Sequence, residues 1–240
     1  MNNKIKILVP ILVLIFSISN YGQIKTSLNE NYTVSKIEKK LNDINVQILQ
    51  YKLKTSKNTS LSTCRAKINI FKNSVKIDSI SFSEIEPVGG NYGLMIYNSI
   101  IENHLIITKY GDYNGLTIII NDSGKIFNTN GGFVYIDRSR KLLFSISASD
   151  LFGISVFNLK SDVEMIKKYD LADEPVEFYK STNGKYFFKA TSLNSEKDNF
   201  YEIHFKNKTI TKVDIESNST EYQKLEKLID WENVKNINCE

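Results

Sequence analysis

From Asn103 to Ile215 the apolar residues fall in short runs divided by polar, glycine-bearing loops, and the runs recur with a period of about forty residues. Three segments align: NHLIITKYGDYNGLTIIINDSGKIFNT from Asn103, KLLFSISASDLFGISVFNLKSDVEMIKKYDL from Lys141, and KYFFKATSLNSEKDNFYEIHFKNKTITKVDI from Lys185. Each holds an apolar strand, a polar loop, a second strand rich in β-branched and aromatic residues, a tight turn and a third strand. A further strand precedes each segment, at Tyr92–Tyr97, Phe133–Asp137 and Val176–Lys180, so the unit is a four-strand antiparallel meander. One such unit cannot bury its own apolar face, and the period predicts units stacked on one another.

Outside the repeats the pattern changes. Val34, Ile37, Leu41, Ile44, Ile48 and Tyr51 follow a three-four spacing that predicts an amphipathic helix from Thr33, its N-cap, to about Asn45. Val46 to Lys54 alternates and leans towards strand, and Lys57 to Thr63 is a polar loop. Arg65 to Phe71 and Val75 to Phe82 flank Lys72, Asn73 and Ser74 as a hairpin, which makes Val46 to Phe82 a partial unit ahead of the three complete ones. After the repeats, Ser219 or Thr220 caps a second amphipathic helix to about Trp231, with Tyr222, Leu225, Leu228 and Ile229 towards the body.

The first segment reads as an export signal. Lys4 and Lys6 form a cationic start, Ile7 to Phe16 is almost wholly apolar, and Ser17, Ser19, Asn20 and Gly22 follow. The run is too short to span a bilayer, which takes about 20 residues. Cleavage after Ser19 and cleavage after Gly22 both fit, and no cysteine follows the run to carry a lipid anchor. The organisation expected is a signal over 1–22, a helix and linker region over 23–63, and a β-repeat domain with its C-terminal helix over 64–240. Loss of Lys4 and Lys6 lowers the net charge from +4 to +2, which gives no argument for nucleic acid or an anionic membrane. Exported chains favour disulfides, and Cys64 and Cys239 allow a single pairing, worth at most about 5 kcal/mol.

Short antiparallel strands in four-strand units of this period resemble β-propeller blades, over roughly Gly90 to Ile215. The resemblance implies an all-β fold of repeated meanders with an amphipathic helix at each end, and loops or inter-unit connections that carry ligands. A two-sheet β-sandwich, its meanders imitating blades, is the alternative. The Lys-, Asn- and Ile-rich composition resembles that of exported proteins of Bacteroidetes-type bacteria.

Candidate chemistry is sparse. Asp112 and Asp150 hold the same place in two repeats, Asp198 is the counterpart in the third, and Tyr113 and Phe152 sit beside them. Together they predict a loop rim able to hold a sugar or a peptide. Asp173-Glu174 and Glu84 with Glu86 lie in inter-unit connections, where facing carboxylates would serve glycoside hydrolysis. Isolated histidines (His104, His204) and cysteines lack the close ligand pairs that zinc takes, and no nucleophile motif or phosphate-binding glycine loop is present, so neither a cofactor nor a metal is expected. The expectation is an exported, periplasmic or secreted, non-catalytic binding or scaffold protein of the cell envelope. Its ligand would be a protein or a glycan, with no nucleic acid and no membrane span. A narrower form is an immunity-like inhibitor of a periplasmic toxin. The competing reading is a carbohydrate-active hydrolase, which needs an axial pocket lined by two carboxylates.

Overall fold

A computed structural model describes residues 26–29, 32–53, 64–85, 93–97, 101–110, 115–148, 152–192, 198–216, 219–228 and 234–238. Among these residues the protein is all-β, in four antiparallel sheets. Sheet 1 is β1 (Thr26–Asn29), β2 (Tyr32–Leu41), β3 (Ile44–Leu53), β4 (Cys64–Lys72) and β5 (Val75–Ile85), in that order. Sheet 2 is the meander β6 (Gly93–Tyr97), β7 (His104–Tyr110), β8 (Leu116–Asn121) and β9 (Ile126–Asn130). Sheet 3 is β10 (Phe133–Asp137), β11 (Leu142–Ala148), β12 (Phe152–Asn158) and β13 (Val163–Lys168). Sheet 4 is β14 (Glu174–Ser181), β15 (Tyr186–Thr191), β16 (Asp198–His204) and β17 (Thr209–Val213). The C-terminal segment then adds β18 (Leu225–Lys227) to the free edge of β14 and β19 (Val234–Asn238) to that of β6.

The repeat and its strands stand where the periodicity puts them, in four sheets packed in series where the sandwich alternative has two. Alternate residues of the middle sheets enter different cores. Leu105, Ile107, Ile118 and Ile120 join the core with sheet 1, whereas Ile106 and Ile119 join Leu143 and Phe157 of sheet 3. Sheet 3 sends Phe144, Ile146 and Val156 the other way, against Phe178, Tyr186 and Phe188 of sheet 4. Burial on both faces is why these strands read as unbroken apolar runs. Among the described residues the hydrophobic clusters link sheet 1 to 2, 2 to 3 and 3 to 4, and none links sheet 4 back to sheet 1.

Both terminal helices are corrected. The stripe from Val34 to Tyr51 is the hairpin β2–β3, in which Val34 pairs with Tyr51, Ile37 with Ile48 and Leu41 with Ile44. A three-four spacing that is symmetric about a turn satisfies a hairpin as well as a helix, and every residue of the stripe is the cross-strand partner of another. Asn42 makes the turn with φ at 48°, and the β-branched residues favour the strand. At the other end the Ser219 Oγ accepts from the Tyr222 N–H at 3.1 Å, but no helix to Trp231 follows, and the 3₁₀ turn has Glu221 at its N-cap. The helix is a single 3₁₀ turn, Tyr222–Lys224, because the backbone that follows is captured as β18 by the unpaired edge of β14. Tyr222 and Leu225 pack on Tyr179, Phe187 and Phe200, closing the outward face of sheet 4. Ile229 and Trp231 lie outside the described residues.

The step from sheet 2 to sheet 3 passes through Gly131, whose φ is 121° and where a Cβ would stand 2.4 Å from the Ile146 carbonyl oxygen. Gly131→Ala is expected to cost about 3 kcal/mol in urea denaturation, and Phe144→Ala about 3–5 kcal/mol; wild-type stability in either variant would contradict this packing.

Candidate binding surface

Meander topology divides the connections between two edges. One edge carries the tight turns that join first to second and third to fourth strands. The other carries the second-to-third connections and the steps between sheets. The rim predicted from the repeats belongs to this second edge: Asp112, Tyr113 and Asp150 fall in the connections β7–β8 and β11–β12, outside the described residues. Phe152 opens β12 half-buried, and Asp198 opens β16 exposed. Asp198 is held within its own sheet, 3.5 Å from the Lys189 ammonium and accepting from the Thr191 hydroxyl at 3.4 Å. Of the acids in the inter-unit connections, Asp173 accepts from the Asn199 amide and the Tyr201 hydroxyl, both at 2.6 Å. Burial, and then this carboxylate, push the Tyr201 phenol up to about 12. Glu86 lies outside the described residues, and so does Cys239; no disulfide occurs among the described residues.

The turn edge holds a polar belt that the sequence reading missed. Between sheets 1 and 2, the Asn42 amide donates to Asp122 at 3.1 Å. Between sheets 2 and 3, Asp162 takes His104 Nε2 at 2.6 Å on one oxygen and the Asn121 amide at 2.9 Å on the other. His104 Nδ1 is 2.6 Å from the Glu102 carbonyl oxygen, so both ring nitrogens face acceptors. Lys141 adds an ion pair to Glu102 at 2.5 Å. Between sheets 3 and 4, the buried Asp137 receives the Lys180 ammonium at 2.7 Å and the Tyr186 hydroxyl at 2.5 Å. Its other oxygen takes the Ser139 amide at 2.9 Å and hydroxyl at 2.6 Å, and Arg140 Nη1 donates to the Gly184 carbonyl at 3.0 Å.

Burial alone would raise the Asp137 carboxyl. Lys180, Ser139, Tyr186 and the Arg140 amide outweigh it and hold the group well below the usual carboxylate range. Asp162 is lowered in the same way, its burial outweighed first by His104 and then by Asn121. Tyr186 moves up, through burial and then the Asp137 charge. The repeated signal that points to this belt is an Asx-x-Ser at strand ends, Asn121-Asp122-Ser123 and Asp137-Arg138-Ser139, in which the Asx oxygen accepts from the serine amide and hydroxyl.

Between sheets 2 and 3, on the side of the second edge, the core turns polar. Thr108 pairs with Thr117 and Thr117 with Thr129 across sheet 2, and Ser145 pairs with Ser155 across sheet 3. All five are buried, and Thr129 meets Ser145 at 3.1 Å. The Thr108 and Ser155 hydroxyls have no hydrogen-bond partner among the described residues. Among the described residues no group of three or more His, Cys, Asp or Glu side chains could hold a metal.

Asp137→Asn is expected to lower stability at neutral pH by about 2–4 kcal/mol, because Lys180 and Tyr186 lose a charged acceptor. The folded carboxyl titrates below its unfolded value of 3.8, so its contribution is complete above that value and fades as pH falls further. Parent and variant stabilities should therefore converge in acid; a gap independent of pH would refute the assignment. Thr108→Val, which removes an unpartnered buried hydroxyl, is expected to raise stability by about 1 kcal/mol in the same assay, and a loss would show that the hydroxyl is satisfied. Comparison with protein-family models and with curated proteins finds no match for this chain.

Proposed function

We propose that the chain is an exported, non-catalytic binding or scaffold protein of the cell envelope that contacts a protein or glycan through the loops of the second edge. The observation that carries this reading is the commitment of the acids. Asp137, Asp162, Asp173 and Glu177 each accept from two or more side chains that hold strands or sheets together. Glu177 shows the pattern on sheet 4: it takes the Tyr179 hydroxyl and the Lys227 ammonium, and burial is outweighed by these donors so that its carboxyl sits low. A hydrolase needs one carboxyl raised and free to give a proton. The competing reading also wants a pocket along the first strands of the units, and β19 and β18 occupy the free edges of β6 and β14.

The export signal at 1–22 supports the location, and no helix among the described residues is long and apolar enough to cross a membrane. Export also supports a Cys64–Cys239 bridge, which would tie the tail after β19 to the start of β4.

Intact-mass measurement of secreted or periplasmic material should find chains beginning at Asn20 or Gln23; a species that keeps Met1 to Phe16 would overturn the export reading. The unreduced folded protein should show no thiol reactive to labelling. For the rim, a Tyr113→Ala, Phe152→Ala double variant should bind a partner cross-linked in the envelope at least about tenfold more weakly, with an unchanged melting curve. Release of reducing ends from polysaccharides by the pure protein would decide for the hydrolase instead.

A further inference from the structure

Three large apolar side chains stand exposed among the described residues, and all three lie beside turns that join a third strand to a fourth. Val75 is 65 % exposed at the start of β5, with Ile77 at 46 % just after it, and Val163 is 51 % exposed at the start of β13. Val75 and Val163 hold equivalent places in sheets 1 and 3, and each closes a stretch opened by a lysine, Lys72-Asn73-Ser74-Val75 and Lys160-Ser161-Asp162-Val163. Exposed aliphatics scattered singly are ordinary on a protein surface; the same lysine and valine at the same corner of two sheets are a pattern.

The turns of sheets 1, 2 and 3 form one row. Asn73 and Ser74, with φ at 49° and 65°, make the β4–β5 turn tight, and Ile77 behind it lies against Gly124 of the β8–β9 turn, where a Cβ would stand 2.6 Å from the Ile77 Cδ1. Asn121, which opens that second turn, donates to Asp162 of the β12–β13 turn at 2.9 Å. The turns therefore follow one another along the turn edge, about 10 Å apart as stacked sheets are. Lys72, Lys76, Lys125 and Lys160 are exposed along the row, and none makes an ion pair among the described residues. Lys125 lies over the Phe127 ring, 4.7 Å from its centroid. The acids nearby are engaged: Asp122 accepts from Asn42, Asp162 from Asn121 with His104 on its other oxygen, and Asp78 from the Ser79 N–H.

We infer that this edge docks on an anionic lipid surface, with Val75, Ile77 and Val163 entering the headgroup boundary and Lys72, Lys76, Lys125 and Lys160 meeting the lipid phosphates. Small molecules are held in concave sites, whereas aliphatics on projecting turns of successive sheets suit a plane. At a bilayer an apolar group has to sink only about 5–10 Å, and cations beside it are drawn by the negative surface potential of anionic lipids. The loop rim is at the opposite edge, so a chain docked in this way holds Phe152 and Asp198 away from the bilayer. Docking of this kind goes beyond the rim and does not depend on its partner.

Co-sedimentation of the full mature protein with vesicles tests the inference. Vesicles of phosphatidylglycerol mixed with phosphatidylcholine should carry the protein down at low salt, and vesicles of phosphatidylcholine alone should not. Binding should fall at least about tenfold in a Val75→Ser, Ile77→Ser, Val163→Ser variant and by a similar factor in a Lys72→Glu, Lys125→Glu, Lys160→Glu variant, with unchanged melting curves in both. Failure to bind the anionic vesicles overturns the inference, as does equal binding to the neutral ones. So does binding that survives the charge reversal, and so does binding lost on charge reversal but indifferent to the serines, which would be unspecific attraction. A parent dimer that the serine variant dissociates, without vesicle binding, would give the row to a second copy of the chain and also overturns it. If the Tyr113→Ala, Phe152→Ala variant loses the vesicles while both turn variants keep them, the lipid contact lies at the rim; that result defeats this inference and leaves the rim as the binding edge.

Discussion

A four-strand meander has two faces and no way to cover either, and every other feature of this protein follows from that constraint. Stacking solves it for sheets 2 and 3, which are apolar on both sides and serve as the filling of the array. The end sheets are treated unequally. Sheet 4 remains apolar outward and is closed by the chain's own Tyr222 and Leu225. Sheet 1 carries amides and lysines in its outward register instead. The asymmetry gives the stack a direction: one end is closed by apolar side chains and the other bears polar ones.

Apolar packing between flat sheets does not by itself fix how far one sheet slides along the next. The polar belt supplies that restriction. Asn42 with Asp122, His104 with Asp162, and Asp137 with Lys180 and Tyr186 join successive sheets turn to turn along one edge. Buried or half-buried pairs of this kind add little net stability over an apolar contact, yet each is costly to break on one side only, so a displaced sheet would leave a charge unmatched. The belt thus trades general adhesion for a defined alignment.

Charge distribution carries the same lesson for function. The net charge of +4 hides an uneven distribution, because Asp137, Asp162 and Asp173 are held by side chains of other strands while lysines of β2, β4 and β5 lie in the outward register of sheet 1. Composition averages over both.

The sequence alone determined the strands and the repeat. Period-two alternation, turn residues and apolar runs such as Leu142 to Phe144 are local signals, and the strand ladders follow them closely. Core residues including Ile107, Ile119, Phe144 and Phe157 were legible for the same reason, and are buried. Only the tertiary structure decided the ends. The residues from Val34 to Tyr51 obey two periodicities at once, and pairing across Asn42 wins because the hairpin also buries Ile37, Leu41, Ile44 and Ile48 against sheet 2, a gain that one isolated helix could not match. Likewise the segment after Ser219 is helical in pattern but strand in fact from Leu225, since β14 offers an unpaired edge that no local rule can see. Asp137 and Asp162 look like any other turn residues in the sequence, for their inter-sheet partners are 41 to 58 positions away; distance along the chain hides what the stacking of sheets brings together.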